Sequence, residues 1–131
     1  SLVYASLRDG ATKLYRLDLQ SGAEVALTDG DGQDRFPAFS PDGTRLAFAS
    51  NRTGAYELFE LDLATGAVRQ LTDSNAQNGS PAYSPDGTQI VFDSNRDGNY
   101  DLFRLTLATR GVTPLTRTDR PLLSGEAAWR P

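Results

Sequence analysis

Large apolar residues alternate with small or polar ones along much of the chain, as in "RLAFAS" (residues 45–50) and "YELFELDL" (residues 56–63). A period of two places successive side chains on opposite faces of an extended backbone, so each such run predicts a half-buried β-strand. Turn sequences stand between the runs. "SPDGT" (Ser40 to Thr44) presets φ with Pro41 and reverses the chain at Asp42-Gly43. "NRTG" from Asn51 and "ATGA" from Ala64 supply the next two reversals. No segment carries the longer period of an amphipathic helix.

The pattern repeats. "LVYASLRDGATKLYRLDL" (Leu2 to Leu19), "LAFASNRTGAYELFELDL" (Leu46 to Leu63) and "IVFDSNRDGNYDLFRLTL" (Ile90 to Leu107) align without a gap at a spacing of 44 residues. Leu27, Leu71 and Leu115, each followed by Thr, keep the same register. A linker and a "PAFS"-type segment complete each period. Four short antiparallel strands in 40 to 45 residues is the signature of a propeller blade. The expected fold is therefore an all-β propeller with three blade equivalents in a single domain, 1–131. The repeat units run about 1–44, 45–88 and 89–131. A small sheet cannot cover both its faces, so Phe39, Phe48, Phe59, Tyr83, Phe92 and Phe103 are expected to form the core between blades.

"PAFSPDGTRLAFASNRTGAYELFELDLATGAVRQLTD" and "PAYSPDGTQIVFDSNRDGNYDLFRLTLATRGVTPLT" resemble the TolB-like β-propeller repeat, in the SPDG turn, the SNR-x-G turn and the closing Leu-Thr. The resemblance implies a propeller, six-bladed in TolB itself, in a periplasmic or extracellular protein that binds other proteins. Similar repeats occur in propellers attached to peptidases and in polysaccharide-acting enzymes, so the repeat identifies a scaffold rather than an activity.

The phase of the repeat carries an expectation about assembly. Ser1 aligns with Arg45 and Pro131 with Pro41, so two blades are complete and the strands of a third are divided between the two ends. Three blades are too few to close a ring. The expected remedy is a homodimer of half-propellers, six-bladed and two-fold symmetric. Ala127, Ala128 and Trp129 would lie on the closing strand, and Leu2 and Tyr4 on the strand it meets. The competing readings are a fragment whose remaining blades lie elsewhere and an open ring that aggregates.

Composition narrows the function. A net charge of −4 disfavours nucleic acid and anionic membrane as partners, and no apolar run reaches the length of a membrane span. There is no Cys and no His, which removes thiol chemistry and the usual general base of a hydrolase triad. No catalytic residue and no cofactor is expected. Asp97, Asn99 and Asp101 have the alternate spacing of a calcium loop. The other repeats place Asp9, Ala11, Lys13 and Thr53, Ala55, Glu57 there, and no bidentate Glu follows. No metal site is therefore assigned. The recurrent Arg8, Arg52 and Arg96 are expected to satisfy loop carbonyls or a carboxylate such as Asp42 or Asp86. Asp93 breaks the repeat, because Ala5 and Ala49 stand at its equivalents. With Glu126, it is the candidate to line a channel, where a carboxylate finds water or a partner.

These features point to a non-enzymatic scaffold, self-assembling and open to protein or peptide ligands. The linkers Thr28–Arg35, Thr72–Gly79 and Thr116–Gly125 are the segments expected to specialise. The alternatives are an accessory segment of a peptidase or polysaccharide-acting enzyme, and an engineered or excised fragment without a natural activity.

Overall fold

The computed structural model describes residues 1–30 and 32–116. Asp31 and residues 117–131 lie outside the described residues, and with them Glu126, Ala127, Ala128 and Trp129.

Three antiparallel sheets follow one another along the chain. Blade 1 is three-stranded: β1 (Leu2–Arg8), β2 (Ala11–Leu17) and β3 (Glu24–Ala26). Blade 2 comprises β4 (Asp34–Phe39), β5 (Arg45–Ser50), β6 (Glu57–Asp62) and β7 (Val68–Gln70). Blade 3 repeats it with β8 (Asn78–Tyr83), β9 (Gln89–Ser94), β10 (Asp101–Thr106) and β11 (Gly111–Pro114). The described residues contain no helix. Cross-strand aromatic pairs set the register of each central hairpin. Phe48 stacks on Phe59 with ring centroids 5.9 Å apart, Phe92 on Phe103 at 6.0 Å and Tyr4 on Tyr15 at 6.1 Å.

Strand β5 shows why the blades stack. Its alternate residues Leu46 and Phe48 join Leu14 of blade 1 in one apolar cluster, together with Phe59 and Leu61. Ala47 and Ala49, on the other face, join Tyr83, Ile90, Phe92, Phe103 and Leu105 of blade 3 in another. Small residues on one side let the large ones of the next blade approach, so β5 is buried on both faces.

One residue expected in this core is not in it. Phe39 is 38% exposed, whereas its counterpart Tyr83 is buried and donates from its hydroxyl to Glu60 Oε2 at 2.6 Å. The residue of blade 1 equivalent to Glu60 is Arg16, and Phe39 has no hydroxyl. The polar bond that seats the tyrosine has no analogue at the first junction.

The innermost strands also begin three residues earlier than the "PAFS" pattern suggests, at Asp34 and Asn78. Each contains an irregularity, between Arg35 and Ala38 and between Gly79 and Ala82, with Phe36 and Ser80 at φ 57° and 48°. The early start has a polar cause. Asp34 has no solvent exposure; it is held by Lys13 Nζ of blade 1 at 3.2 Å and by Arg52 Nη2 of its own blade at 3.1 Å. Asn78 repeats the arrangement with other chemistry. Its Nδ2 donates to Glu57 Oε1 of blade 2 at 3.0 Å, and its Oδ1 accepts from Arg96 Nη2 at 3.1 Å. The preceding glutamines join in: Gln33 Oε1 accepts from the Thr12 backbone, and Gln77 Oε1 from the Tyr56 backbone. A Gln-Asx pair thus ties each inner strand to the blade before it.

Glu57 is the most heavily satisfied of these groups, also accepting from Thr72 Oγ1 at 2.7 Å and from the backbone of Ser74 and Asn75 at 3.1 and 2.8 Å. Removing it leaves several buried donors without an acceptor. Glu57→Ala is expected to lose roughly 3 kcal/mol of unfolding free energy, and Phe39→Ala less than about 1 kcal/mol. Urea unfolding with an unchanged m-value checks the contrast; equal losses would contradict it.

Candidate functional site

A cleft of about 500 Å³ lies where the inner strands of blades 2 and 3 begin. Arg35, Phe36, Tyr56, Gly79, Asp93 and Tyr100 line it, together with Asp101 and Thr116. Its volume falls in the range of small-ligand and side-chain pockets.

The two blades contribute differently to it. On blade 2 the cross-strand pair is Arg35 opposite Ala49; at the same place on blade 3 it is Gly79 opposite Asp93. Arg35 folds back over the Tyr56 ring, its guanidinium carbon 4.2 Å from the ring centroid, and donates through Nη2 to the tyrosine hydroxyl. Tyr100 is the equivalent of Tyr56 and is 60% exposed. Among the described residues no guanidinium lies on it. Gly79 leaves room for the Phe36 ring: a Cβ there would come within 3.2 Å of Phe36 and 3.4 Å of Asp93 Oδ1.

Asp93 therefore sits half-buried at the wall of the cleft. Burial pushes its carboxyl above the ordinary range, and a hydrogen bond with Ser80 only partly opposes the shift. No Lys or Arg among the described residues forms an ion pair with it. Asp93 was legible in the sequence as a break in the repeat. Its companion change, Gly79 for Arg35, was missed, because the registry that sets the two opposite each other exists only in the folded sheet.

The recurrent arginines do not reach Asp42 or Asp86. Arg52 and Arg96 lie over their own blades' aromatic pairs, 5.0 Å from the Phe59 centroid and 4.9 Å from that of Phe103, and donate to Asp34 and Asn78. Arg8 lies 3.9 Å from the Tyr15 centroid and pairs with Glu24. The expected acceptors close their own turns instead. Asp42 accepts from Ser40 Oγ at 2.7 Å and from Thr44, and Asp86 does the same with Ser84 and Thr88. These bonds hold both carboxyls down at about 2.

The metal candidates are not gathered into one site. Asp97 and Asn99 are exposed on the turn, while Asp101 is buried and accepts from Thr116 Oγ1 at 3.1 Å. Among the described residues no group of three or more acidic side chains could hold an ion. Leu2 and Tyr4 lie on β1, whose outer edge has no strand partner among the described residues. The linkers, expected to be free to specialise, turn out half structural. Gln33-Asp34 and Gln77-Asn78 belong to the blade junctions, and Asn51 and Asn95 of the SNR turns accept from the backbone of those glutamines at 2.6 and 2.8 Å. Their signal in the sequence was a Gln-Asx pair five residues after the first and second Leu-Thr.

The family model of the TolB beta propeller domain matches residues 1–129. The chain belongs to this family. Among solved structures, TolB from Acinetobacter baumannii is 29% identical with a TM-score of 0.81, over 88% of this chain and 29% of that one. A putative TolB from Agrobacterium tumefaciens is 25% identical, also at 0.81, over 88% of this chain and 42% of that one. An uncharacterized protein of Agrobacterium fabrum is 42% identical over 43 residues, which is 33% of this chain and 15% of that protein. This TolB-type segment thus spans less than half the length of the relatives it matches.

The burial of Asp93 in this TolB-type blade has a measurable consequence. The folded state holds its proton more tightly than the unfolded state, so its contribution to stability is present at low pH and is lost as pH rises through the folded titration. Asp93→Asn is expected to raise the unfolding midpoint at pH 7. The gain should vanish as pH falls below the ordinary carboxylate value of 3.8. A variant no more stable than the parent at pH 7 would show that the burial carries no penalty.

Proposed function

We propose that this TolB-type chain is a non-enzymatic scaffold that docks other proteins, working as half of a six-bladed ring completed by a second copy. The observation that carries the reading is a matched change at one junction. Blades 2 and 3 receive Gln33 and Gln77 on Asn51 and Asn95, but blade 1 carries Leu7 at that position, 70% exposed. The third linker has likewise lost the Gln-Asx pair and offers Leu122 and Leu123. An inner strand that follows that linker and pairs with β1 of another copy meets an apolar partner where the other junctions are polar. It also covers a strand edge that is otherwise a site of uncontrolled pairing.

The outward face of blade 3 supports the same reading. Arg104 stands where Glu60 receives Tyr83, and its Nε is buried without a hydrogen-bond partner among the described residues. Trp129 aligns with Tyr83, and an indole face is a suitable partner for a guanidinium. The absence of His and Cys from the sequence and the presence of an open aromatic cleft favour binding over hydrolysis. By family resemblance the compartment is the periplasm or the extracellular space.

Light scattering on the 131-residue chain is expected to give twice its 14.2 kDa mass, and Trp129→Ala or Leu7→Asp to lower it while the β-sheet circular dichroism persists. A folded monomer of the parent sequence would overturn the ring.

A further inference from the structure

We infer that the cleft between blades 2 and 3 is a receptor for an arginine side chain of a partner polypeptide, which lies on Tyr100 and pairs with Asp93. The inference deepens the docking reading above by naming the chemistry of the ligand, and it does not depend on the ring.

The molecule contains its own template for the interaction. On blade 2, Arg35 projects from the inner strand, spreads its guanidinium over Tyr56 at 4.2 Å and bonds the tyrosine hydroxyl. Blade 3 keeps the aromatic platform, Tyr100, and deletes the cation, Gly79. In the same cross-strand pair it gains a carboxylate, Asp93, where the other two repeats have Ala5 and Ala49. The three positions thus change from an internally satisfied cation to an exposed ring and a carboxylate that line one cleft, the carboxylate having no ion-pair partner among the described residues. A guanidinium supplied from outside restores the stacking of blade 2 and adds a charge-assisted bond that blade 2 does not have.

The surroundings suit this occupant. The Phe36 ring takes part of the space that a side chain at position 79 would use, and the cleft of about 500 Å³ beside it accepts a long side chain with part of its backbone. Phe36, 47% exposed at its rim, gives the aliphatic stem an apolar wall. Arg35 and Asp101 are the other charged groups of the lining. Arg35 is engaged with Tyr56, and Asp101 accepts from Thr116, so Asp93 is the anion left for the ligand. A net charge of −4 favours a basic partner. Guanidinium is preferred to ammonium because the site offers a flat ring together with an anion, which a planar fork engages at once.

The test is a titration, followed by NMR shifts of Tyr100 and Asp93, with blocked tripeptides Gly-X-Gly in which X is arginine, lysine or citrulline. The arginine peptide is expected to bind about ten-fold more tightly than the citrulline peptide, which has the same shape without the charge. Asp93→Ala should erase that difference. It installs the residue found in the other repeats, so the fold tolerates it, and the variant should be at least as stable as the parent at pH 7. Gly79→Arg should also abolish binding, by placing an internal cation beside Asp93 and crowding Phe36 in the cleft. Equal binding of arginine and citrulline, or an Asp93→Ala variant that still discriminates between them, would overturn the inference. Because the cleft lies within one chain, either result can be read whether the chain runs as a monomer or a dimer.

Discussion

Asp34 is a carboxylate with no exposure to water, and it is satisfied from two blades at once. Lys13 reaches it from blade 1 and Arg52 from blade 2. A buried charge with one partner missing is a heavy penalty, so the junction is stable only when both blades hold the correct distance and rotation. Apolar contact alone would not specify this, because Leu14 against Phe48 and Leu46 tolerates sliding. Dispersion and dehydration supply the attraction between blades, and the polar group supplies the registration. Asn78 with Glu57 and Arg96 does the same at the next junction.

That registration also builds the cleft. Asn78, which locks blade 3 to blade 2, lies in the wall of the same space that contains Arg35, Phe36 and Asp93. The bulges that follow Asp34 and Asn78 put Phe36 and Ser80 at positive φ, and the Phe36 ring reaches across the junction to Gly79 of blade 3. A ligand seated there meets groups whose positions are fixed by blade stacking, so little ordering is left to be done on binding.

Much of the architecture was legible in the sequence, because its determinants are local. Period-two alternation places Leu46, Phe48 and Ala47, Ala49 on opposite faces, and Asp42-Gly43 and Asp86-Gly87 close turns that need nothing from outside. What was not legible depends on pairing across the chain. The arginines of the SNR turns were expected on loop carbonyls or a carboxylate such as Asp42 or Asp86; Arg52 instead reaches Asp34 and Arg96 the amide of Asn78, both far in sequence and within stretches that looked like loops. Phe39 was assigned to the core by analogy with Tyr83, although seating that ring depends on Glu60, a residue of another blade. Of the candidate site, Asp93 could be picked out as an exception to the repeat. The vacant ring of Tyr100 could not, because its meaning comes from Gly79 lying across the sheet. The closing strand around Trp129 lies outside the described residues.

The two junctions do the same job with opposite polarity: a cation of blade 1 meets an anion, and an anion of blade 2 meets an amide. This gives each blade an address. Repeats so alike in sequence are exposed, while folding, to docking in the wrong order or with the corresponding blade of a neighbouring molecule. Were the inner strand that begins at Asp34 to settle on blade 2, it would bring its carboxylate against the buried Glu57, and such a pair cannot both remain ionised. The side chains that hold the blades together therefore also number them, so that similar units assemble in a single sequence.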